Sequence, residues 1–306
     1  MASPSPSTLV LGAGELGLAT LKALAAHPKR QGGSITVLLR PSSTKTDDAD
    51  KQKQNAYLAS LGVAFEAGDI QDNSISELAA IFKRYHTIVS CTGMYQPRGT
   101  QLKISQAVLE AGVPRYFPWQ YGIDYDTIGA GSSQDLFDEQ LEVRALLWAQ
   151  TAVNWIIVST GLFMSFLFVP AFGPVDLQGR VLRGLGGWDT PVSVTSPADI
   201  GKMVAEIVYD PRDIGRQVVF VAGDTVTYGR VAELVEQRFG GEWRKEVWRP
   251  EFLQRRLAEE PDNTMFKYQN VFAAGKGVAW VMAKTVNGQR GIELENLQAF
   301  LRNMEA

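Results

Sequence analysis

The first half of the chain alternates between two polarity periods. Short apolar, largely β-branched runs predict strands over residues 8–11, 34–39, 63–66, 87–91, 115–117 and 155–158. Between them, apolar residues recur every three to four positions, which predicts helices over 16–26, 51–61, 75–83, 101–111 and 136–150. In the first of these, Leu18, Leu21 and Leu24 are spaced for one face. Strands that alternate with helices imply a parallel sheet covered on both sides, and strands apolar along their whole length are what such a sheet needs.

After Ser159 the pattern loosens. Segments rich in Phe, Met, Trp, Gly and Pro occupy 160–191 and 241–282; between them, 192–194 and 218–221 read as strands, and 198–208 and 228–239 as helices. The expectation is α/β: a doubly wound parallel sheet of the Rossmann type, with a smaller, interleaved α+β substrate domain. Residues 1–160, with roughly 192–222 returning to them, would form the first domain, and 161–191 with 223–306 the second.

Composition narrows the class. The 306 residues are 45% hydrophobic and 21% charged, enough for a sizeable core, and the formal net charge of -3 excludes a generally basic nucleic-acid or anionic-membrane binder. The single cysteine, Cys91, rules out an internal disulfide and reads as a small strand residue. The opening Met1 to Ser7 is a polar tail without the features of a signal peptide, and the longest apolar stretch, 161–172, is too short to span a bilayer. A soluble, cytoplasmic monomer or homodimer acting on a small molecule is the expectation. One cysteine and two distant histidines, His27 and His86, offer no metal-ligand spacing, and both histidines read as surface residues. The pairs Asp47-Asp48 and Glu259-Glu260 read as solvated loops.

Gly12-Ala13-Gly14-Glu15-Leu16-Gly17 follows a strand and opens a helix, the context in which G-x-G-x-x-G signals a dinucleotide site. Gly12 permits the tight turn, Gly14 lets backbone approach a pyrophosphate, and Gly17 lets helix and strand pack closely, while the N–H groups of the helix start, at Glu15 and Leu16, meet the anion. At the end of the second strand stands Arg40, where an acidic residue would bind the ribose hydroxyls of NAD. With the hydroxyls of Ser42 and its neighbours and with Lys45 close behind, Arg40 suits a 2′-phosphate, and the cofactor expected is NADP(H). Asp69, after the third strand, is read either as an acceptor for the adenine amino group or as a turn-former, and Thr92-Gly93, after the fourth, as backbone running near the ribose.

The segment Arg115 to Asp126 leaves the fifth strand carrying Pro118, Trp119, Tyr121, Asp124 and Tyr125; its phenols and carboxylates are candidate acid/base groups, and Trp119 a candidate substrate contact. Together with the glycine motif, Val37-Leu38-Leu39-Arg40, Lys45, Leu61-Gly62-Val63, Gly68-Asp69, the run from Gln101 to Gly112, Arg115-Tyr116-Phe117-Pro118 with Gly122, Phe137, Val143-Arg144 and Asp199-Ile200-Gly201, it resembles the NmrA-like and isoflavone reductase-like branch of the short-chain dehydrogenase superfamily. The relatives include the phenylcoumaran benzylic ether reductases and fungal proteins. The resemblance covers nearly the whole chain. It implies an NADPH-binding domain, a small substrate domain, and reduction of an aromatic, phenolic or related natural product. Pro118 is read as a cofactor contact, and a heterocyclic imine, already cationic when protonated, is a candidate substrate because it needs no strong proton donor. The resemblance also implies a lysine at the position of Gln140, where this chain has an amide that cannot shuttle a proton. Tyr121, Asp124 and Tyr125 are the remaining candidates, with Gln140 as a hydrogen-bonding group. That departure motivates one alternative, a non-redox enzyme that retains the dinucleotide, such as a cyclase; the resemblance itself leaves a second, an NmrA-like redox-sensing regulator. Phe163, Met164, Trp188, Phe266 and Tyr268 are candidate walls of an apolar pocket.

Overall fold

The computed structural model describes residues 7–304; the polar tail read over Met1 to Ser7 lies outside the described residues except for its last member. The elements run β1 (Thr8–Leu11), α1 (Glu15–Ala26), β2 (Ile35–Leu39), α2 (Pro41–Thr44), α3 (Ala49–Ser60), β3 (Val63–Ala67), α4 (Ile75–Phe82), β4 (Thr87–Ser90), α5 (Thr100–Ala111), β5 (Arg115–Phe117), α6 (Tyr125–Ile128), α7 (Leu136–Trp148) and β6 (Asn154–Ser159). They continue with β7 (Leu162–Phe163), a 3-10 turn at Met164–Phe168, β8 (Val175–Asp176), β9 (Val181–Leu185), β10 (Pro191–Thr195), α8 (Pro197–Tyr209), β11 (Gln217–Phe220), β12 (Asp224–Thr227) and α9 (Tyr228–Phe239). The chain ends with β13 (Arg244–Trp248), α10 (Pro250–Glu259), α11 (Thr264–Ala273), a 3-10 turn at Met282–Lys284, α12 (Val286–Arg290) and α13 (Leu297–Asn303).

The chain falls into two compact units. The first comprises the chain up to Gln120, Glu142–Val158 and Ile200–Val218; the second comprises Tyr121–Leu141, Ser159–Asp199 and the chain from Val219. With the first goes a seven-stranded sheet in the order β11-β6-β5-β4-β1-β2-β3, in which every pairing from β6 to β3 is parallel. β1 lies between β2 and β4, so the strand order reverses there, and the carboxyl ends on either side form the place where open α/β sheets take ligands. Leu9, Leu11, Ile88, Ile104, Val108, Tyr116, Val143, Leu147 and Ile157 belong to one buried apolar cluster that fixes the helices on the sheet. Within it, Tyr116 keeps its hydroxyl in contact with Ser105 at 3.3 Å.

The second unit carries two three-stranded sheets, ordered β12-β10-β7 and β13-β9-β8. Here the expected boundaries are corrected. Residues 192–194 do not return to the large sheet: β10 pairs antiparallel with β12 and parallel with β7. Residues 121–141 also group with the second unit rather than the first. An apolar alternation specifies a strand but not its partner, and the hydrogen-bonded register of Val192 with Val226 decides the matter here. Among the described residues, no helix is long and apolar enough to cross a membrane.

Candidate functional site

Where β1 ends, the backbone of Gly12 takes φ +90°, a region costly for any other residue, and a side chain there would collide with the Thr92 hydroxyl. That hydroxyl donates to the Leu11 carbonyl at 2.9 Å and clamps the turn to the end of β4. The position a Cβ of Gly17 would need is taken by the Gly12 carbonyl, so α1 packs directly on the turn. Gly14 differs from both. It caps α1 in an extended conformation without a side-chain cap, and a Cβ added there would meet no atom within 4 Å. Helix geometry leaves the amides of Glu15, Leu16 and Gly17 without intrahelical partners, while Leu18 is the first to bond back, to Gly14 at 2.8 Å. The turn thus has open space on one side and a helix N-terminus behind it, the arrangement that suits an anion.

That open space is part of a cavity of about 440 Å³ at the carboxyl ends of four strands. It is lined by Gly12, Ala13 and Gly14 after β1, by Leu38, Leu39, Arg40 and Ser43 at β2, by Gly68, Asp69, Ile70 and Gln71 after β3, and by Cys91, Thr92 and Gln96 after β4. Lys51, Gln54 and Asn55 of α3 complete the wall. The lining carries two cations, Arg40 and Lys51. The acid in the lining, Asp69, is engaged in its own turn: its carboxylate accepts from the amides of Gln71 at 2.8 Å and Asp72 at 3.4 Å, and its amide donates to Asn73 at 2.8 Å. Gln71 Nε2 donates to Gln96 Oε1 at 2.6 Å and to Thr100 Oγ1 at 3.1 Å, joining the loops after β3 and β4. Burial pushes the Cys91 thiol up to about 12, with its Sγ 3.6 Å from the Thr20 hydroxyl; it is an inert wall residue.

Of the predicted cofactor residues, Gly12, Gly14, Arg40, Asp69 and Thr92 line this cavity. Glu15, Leu16 and Gly17 form the helix start beside it. Ser42 and Lys45 do not line it and are exposed. The reason is that Pro41 opens the helical turn α2, in which each residue rotates about 100° from the last, so that Ser43 faces inward instead. Gly93 is likewise absent from the lining: a side chain there would run into the indole of Trp119, so this glycine serves packing, and Trp119 with it. Pro118 is buried outside the lining, and its carbonyl accepts from the Gln120 amide at 2.9 Å. Sequence reading missed Lys51, Gln54 and Asn55. The available signal was Asp48, whose carboxylate caps α3 by accepting from the amides of Asp50 at 3.0 Å and Lys51 at 3.1 Å. Asp47 and Asp48 lie in an exposed loop, as expected, and Asp48 caps the helix that follows it. His27 is also not a surface residue: its Nε2 lies 3.1 Å from Glu206 and its ring stacks on Tyr209 at 5.0 Å. His86 is half-buried, with Nδ1 2.9 Å from the Thr87 hydroxyl.

In the second unit, Tyr121, Tyr125 and Gln140 are buried. The Gly122 carbonyl accepts from the amides of Thr160 and Gly161, both at 2.9 Å, and so holds the Tyr121 segment to the end of β6. Asp124 is committed as the cap of α6, accepting from the Thr127 hydroxyl at 2.6 Å and the Thr127 amide at 3.3 Å. Gln140 donates to the Leu136 carbonyl at 3.4 Å within α7. Tyr125 packs on Phe137 at 5.0 Å between centroids, Phe137 on Tyr268 at 5.8 Å, and Tyr268 on Phe166 at 5.9 Å, a chain of tilted and edge-on rings. Phe266 is covered by the Arg256 guanidinium, 3.8 Å from its centroid. Met164 is fully buried, while Phe163 and Trp188 are half-buried. Among the described residues no cluster of three or more His, Cys, Asp and Glu side chains is arranged to hold a metal ion.

This architecture matches known proteins. The sequence profile of the NmrA-like family aligns with residues 7–301. The chain belongs to that family. It is 53% identical, over 98% of both chains, to an NmrA-like family domain-containing oxidoreductase of Gibberella moniliformis. It is 24% identical to isoflavone reductase homolog P3 of Arabidopsis thaliana, over 85% of this chain and 84% of the relative. Its fold superposes on leucoanthocyanidin reductase of Vitis vinifera, solved as a binary complex with NADPH, with a TM-score of 0.79 and 17% identity over 97% of this chain and 98% of that one.

Proposed function

We propose that this chain is an NADP(H)-dependent reductase of a small aromatic or heterocyclic metabolite, imine-containing substrates included. One observation carries the reading: a single cavity is lined by a glycine turn with an open face at Gly14 and by two cations, Arg40 and Lys51. The names of the relatives, oxidoreductase and isoflavone reductase homolog, agree with it. In this reading the amides of the turn and of the α1 start hold the diphosphate, and Arg40 and Lys51, with Ser43, hold the 2′-phosphate. NADPH, when bound, supplies a hydride. Tyr121 and Tyr125 are the side chains proposed to hold or deliver a proton. Asp124 is a weaker proposal, because its carboxylate is occupied as a helix cap. The test is anaerobic turnover with a panel of aromatic imines and enones: NADPH consumed in equal amount to a product gaining two hydrogens supports the reading, and no consumption across the panel counts against it.

The amide at Gln140 favours a second reading, in which the dinucleotide is retained and the step is not a redox reaction. Turnover that requires bound NADP(H) yet leaves its oxidation state unchanged would select it.

A further inference from the structure

Gln54 and Asn55 lie three and four positions after Lys51 on α3, so the three share a helix face, and that face is the one that lines the cavity. Both side chains are half-buried, and each makes one long-range bond to a different loop. Gln54 Nε2 donates to the carbonyl of Ala13, the residue between the first two glycines of the turn, at 2.8 Å. Asn55 Nδ2 donates to the carbonyl of Ser43, in the helical turn capped by Arg40, at 2.9 Å.

The two bonds do different work. The Ala13 carbonyl and the Gly14 N–H belong to one rigid peptide plane and point in opposite directions. Holding the carbonyl on α3 therefore fixes the direction of the Gly14 N–H, and it removes a partial negative charge that would otherwise be free to turn toward an anion. The Ser43 carbonyl belongs to a helix of one turn, whose last carbonyls lack partners; Asn55 supplies one and so holds the turn that carries Arg40 and the Ser43 hydroxyl.

We propose that Gln54 and Asn55 are positioning residues of the dinucleotide site, one for each phosphate group: Gln54 sets the glycine turn for the diphosphate, and Asn55 sets the Arg40–Ser43 turn for the 2′-phosphate. This rests on the NADP(H) reading above.

Two partial ligands separate the roles. NADH has the diphosphate but no 2′-phosphate; adenosine 2′-phosphate has the reverse. Dissociation constants of NADPH, NADH and adenosine 2′-phosphate are measured on the full chain carrying Gln54→Leu or Asn55→Leu, which keep bulk and remove the N–H donors. Gln54→Leu weakens NADH about five- to tenfold and leaves adenosine 2′-phosphate within about twofold; Asn55→Leu does the opposite; each weakens NADPH. A merely structural role moves both partial ligands together, so parallel losses, or no loss, overturn the proposal. If a leucine variant does not fold, the alanine form of the same residue gives the same crossed pattern. A wild-type chain that binds none of the three overturns the NADP(H) reading itself.

Discussion

The indole of Trp119 occupies the space that a side chain at Gly93 would require. Gly93 follows β4 and Trp119 follows β5, so the contact locks the ends of two adjacent parallel strands. Gly93→Ala must displace a ring inside a packed region and is expected to cost about 1–3 kcal/mol in denaturant unfolding. In the double variant with Trp119→Ala, the two costs add to less than their sum, because the smaller residue makes room for the methyl group. Full additivity would mean that the ring and the glycine are energetically unrelated.

Arg40 should decide between the two nicotinamide dinucleotides. Removing its guanidinium with Arg40→Gln is expected to weaken NADPH about 10- to 100-fold while NADH changes less than about twofold, since a charge-assisted bond to a phosphate is lost from one ligand only. The NADPH affinity of the native chain also falls with added salt more steeply than that of NADH. Titration of both nucleotides at two ionic strengths checks this.

Cys91 lines the cavity and is nonetheless expected to resist alkylation. Burial raises its pKa from 9.0 to about 12, so the thiolate that would react is nearly absent in the folded chain at pH 8. The sign for stability follows. Between 9.0 and about 12 the unfolded chain loses the thiol proton while the folded chain keeps it, so this group's contribution is complete below pH 9 and declines as pH rises through that window. Mass spectrometry after iodoacetamide treatment should find Cys91 unmodified in the native chain and fully modified in urea.

Much of this was legible in the chain itself. The inner strands β1, β2 and β4 announce themselves because strands buried on both faces must be apolar throughout, whereas β3, at the sheet edge, is largely exposed and shows only as a short apolar run; the short helices α2 and α6 left no pattern, and the glycine turn follows from its place between a strand and a helix. What stayed hidden depends on tertiary placement. Lys51, Gln54 and Asn55 line the cavity from α3; the Asp48 cap marks where that helix begins, but the sequence does not say where it packs. Lys45 stands close behind Arg40 in sequence, which suits a phosphate, but the helical turn begun by Pro41 carries it away from the cavity lining. β10 has the alternation of a strand, but its partners come from the second unit. Asp124, an acid/base candidate by sequence, also caps α6, two uses of one carboxylate that a sequence does not separate.

Gln140 sits fully buried on α7, so Gln140→Lys introduces an ammonium group into a desolvated position. The variant should melt several degrees below the native chain near neutral pH. Desolvation lowers the folded-state pKa of the new lysine, so stability recovers as pH rises through that value, the reverse of the trend at Cys91. If the amide is tuned for the native reaction, turnover also falls; a native rate would remove Gln140 from the chemistry. Calorimetry between pH 7 and pH 10, with activity at each point, reads both.

The most direct test of the dinucleotide site uses Gly14, where an added Cβ would meet no atom within 4 Å. Gly14→Leu is expected to unfold within about 1 kcal/mol of the native chain, because its backbone conformation, φ -74°, is open to any residue. The same variant should lose NADPH binding altogether, where the native chain binds one equivalent and prefers it to NADH. Titration of both proteins with NADPH by nicotinamide fluorescence decides the matter: saturable binding that Gly14→Leu abolishes is the predicted result, and a native chain that takes up no NADPH, or a variant that binds it undiminished, contradicts the account.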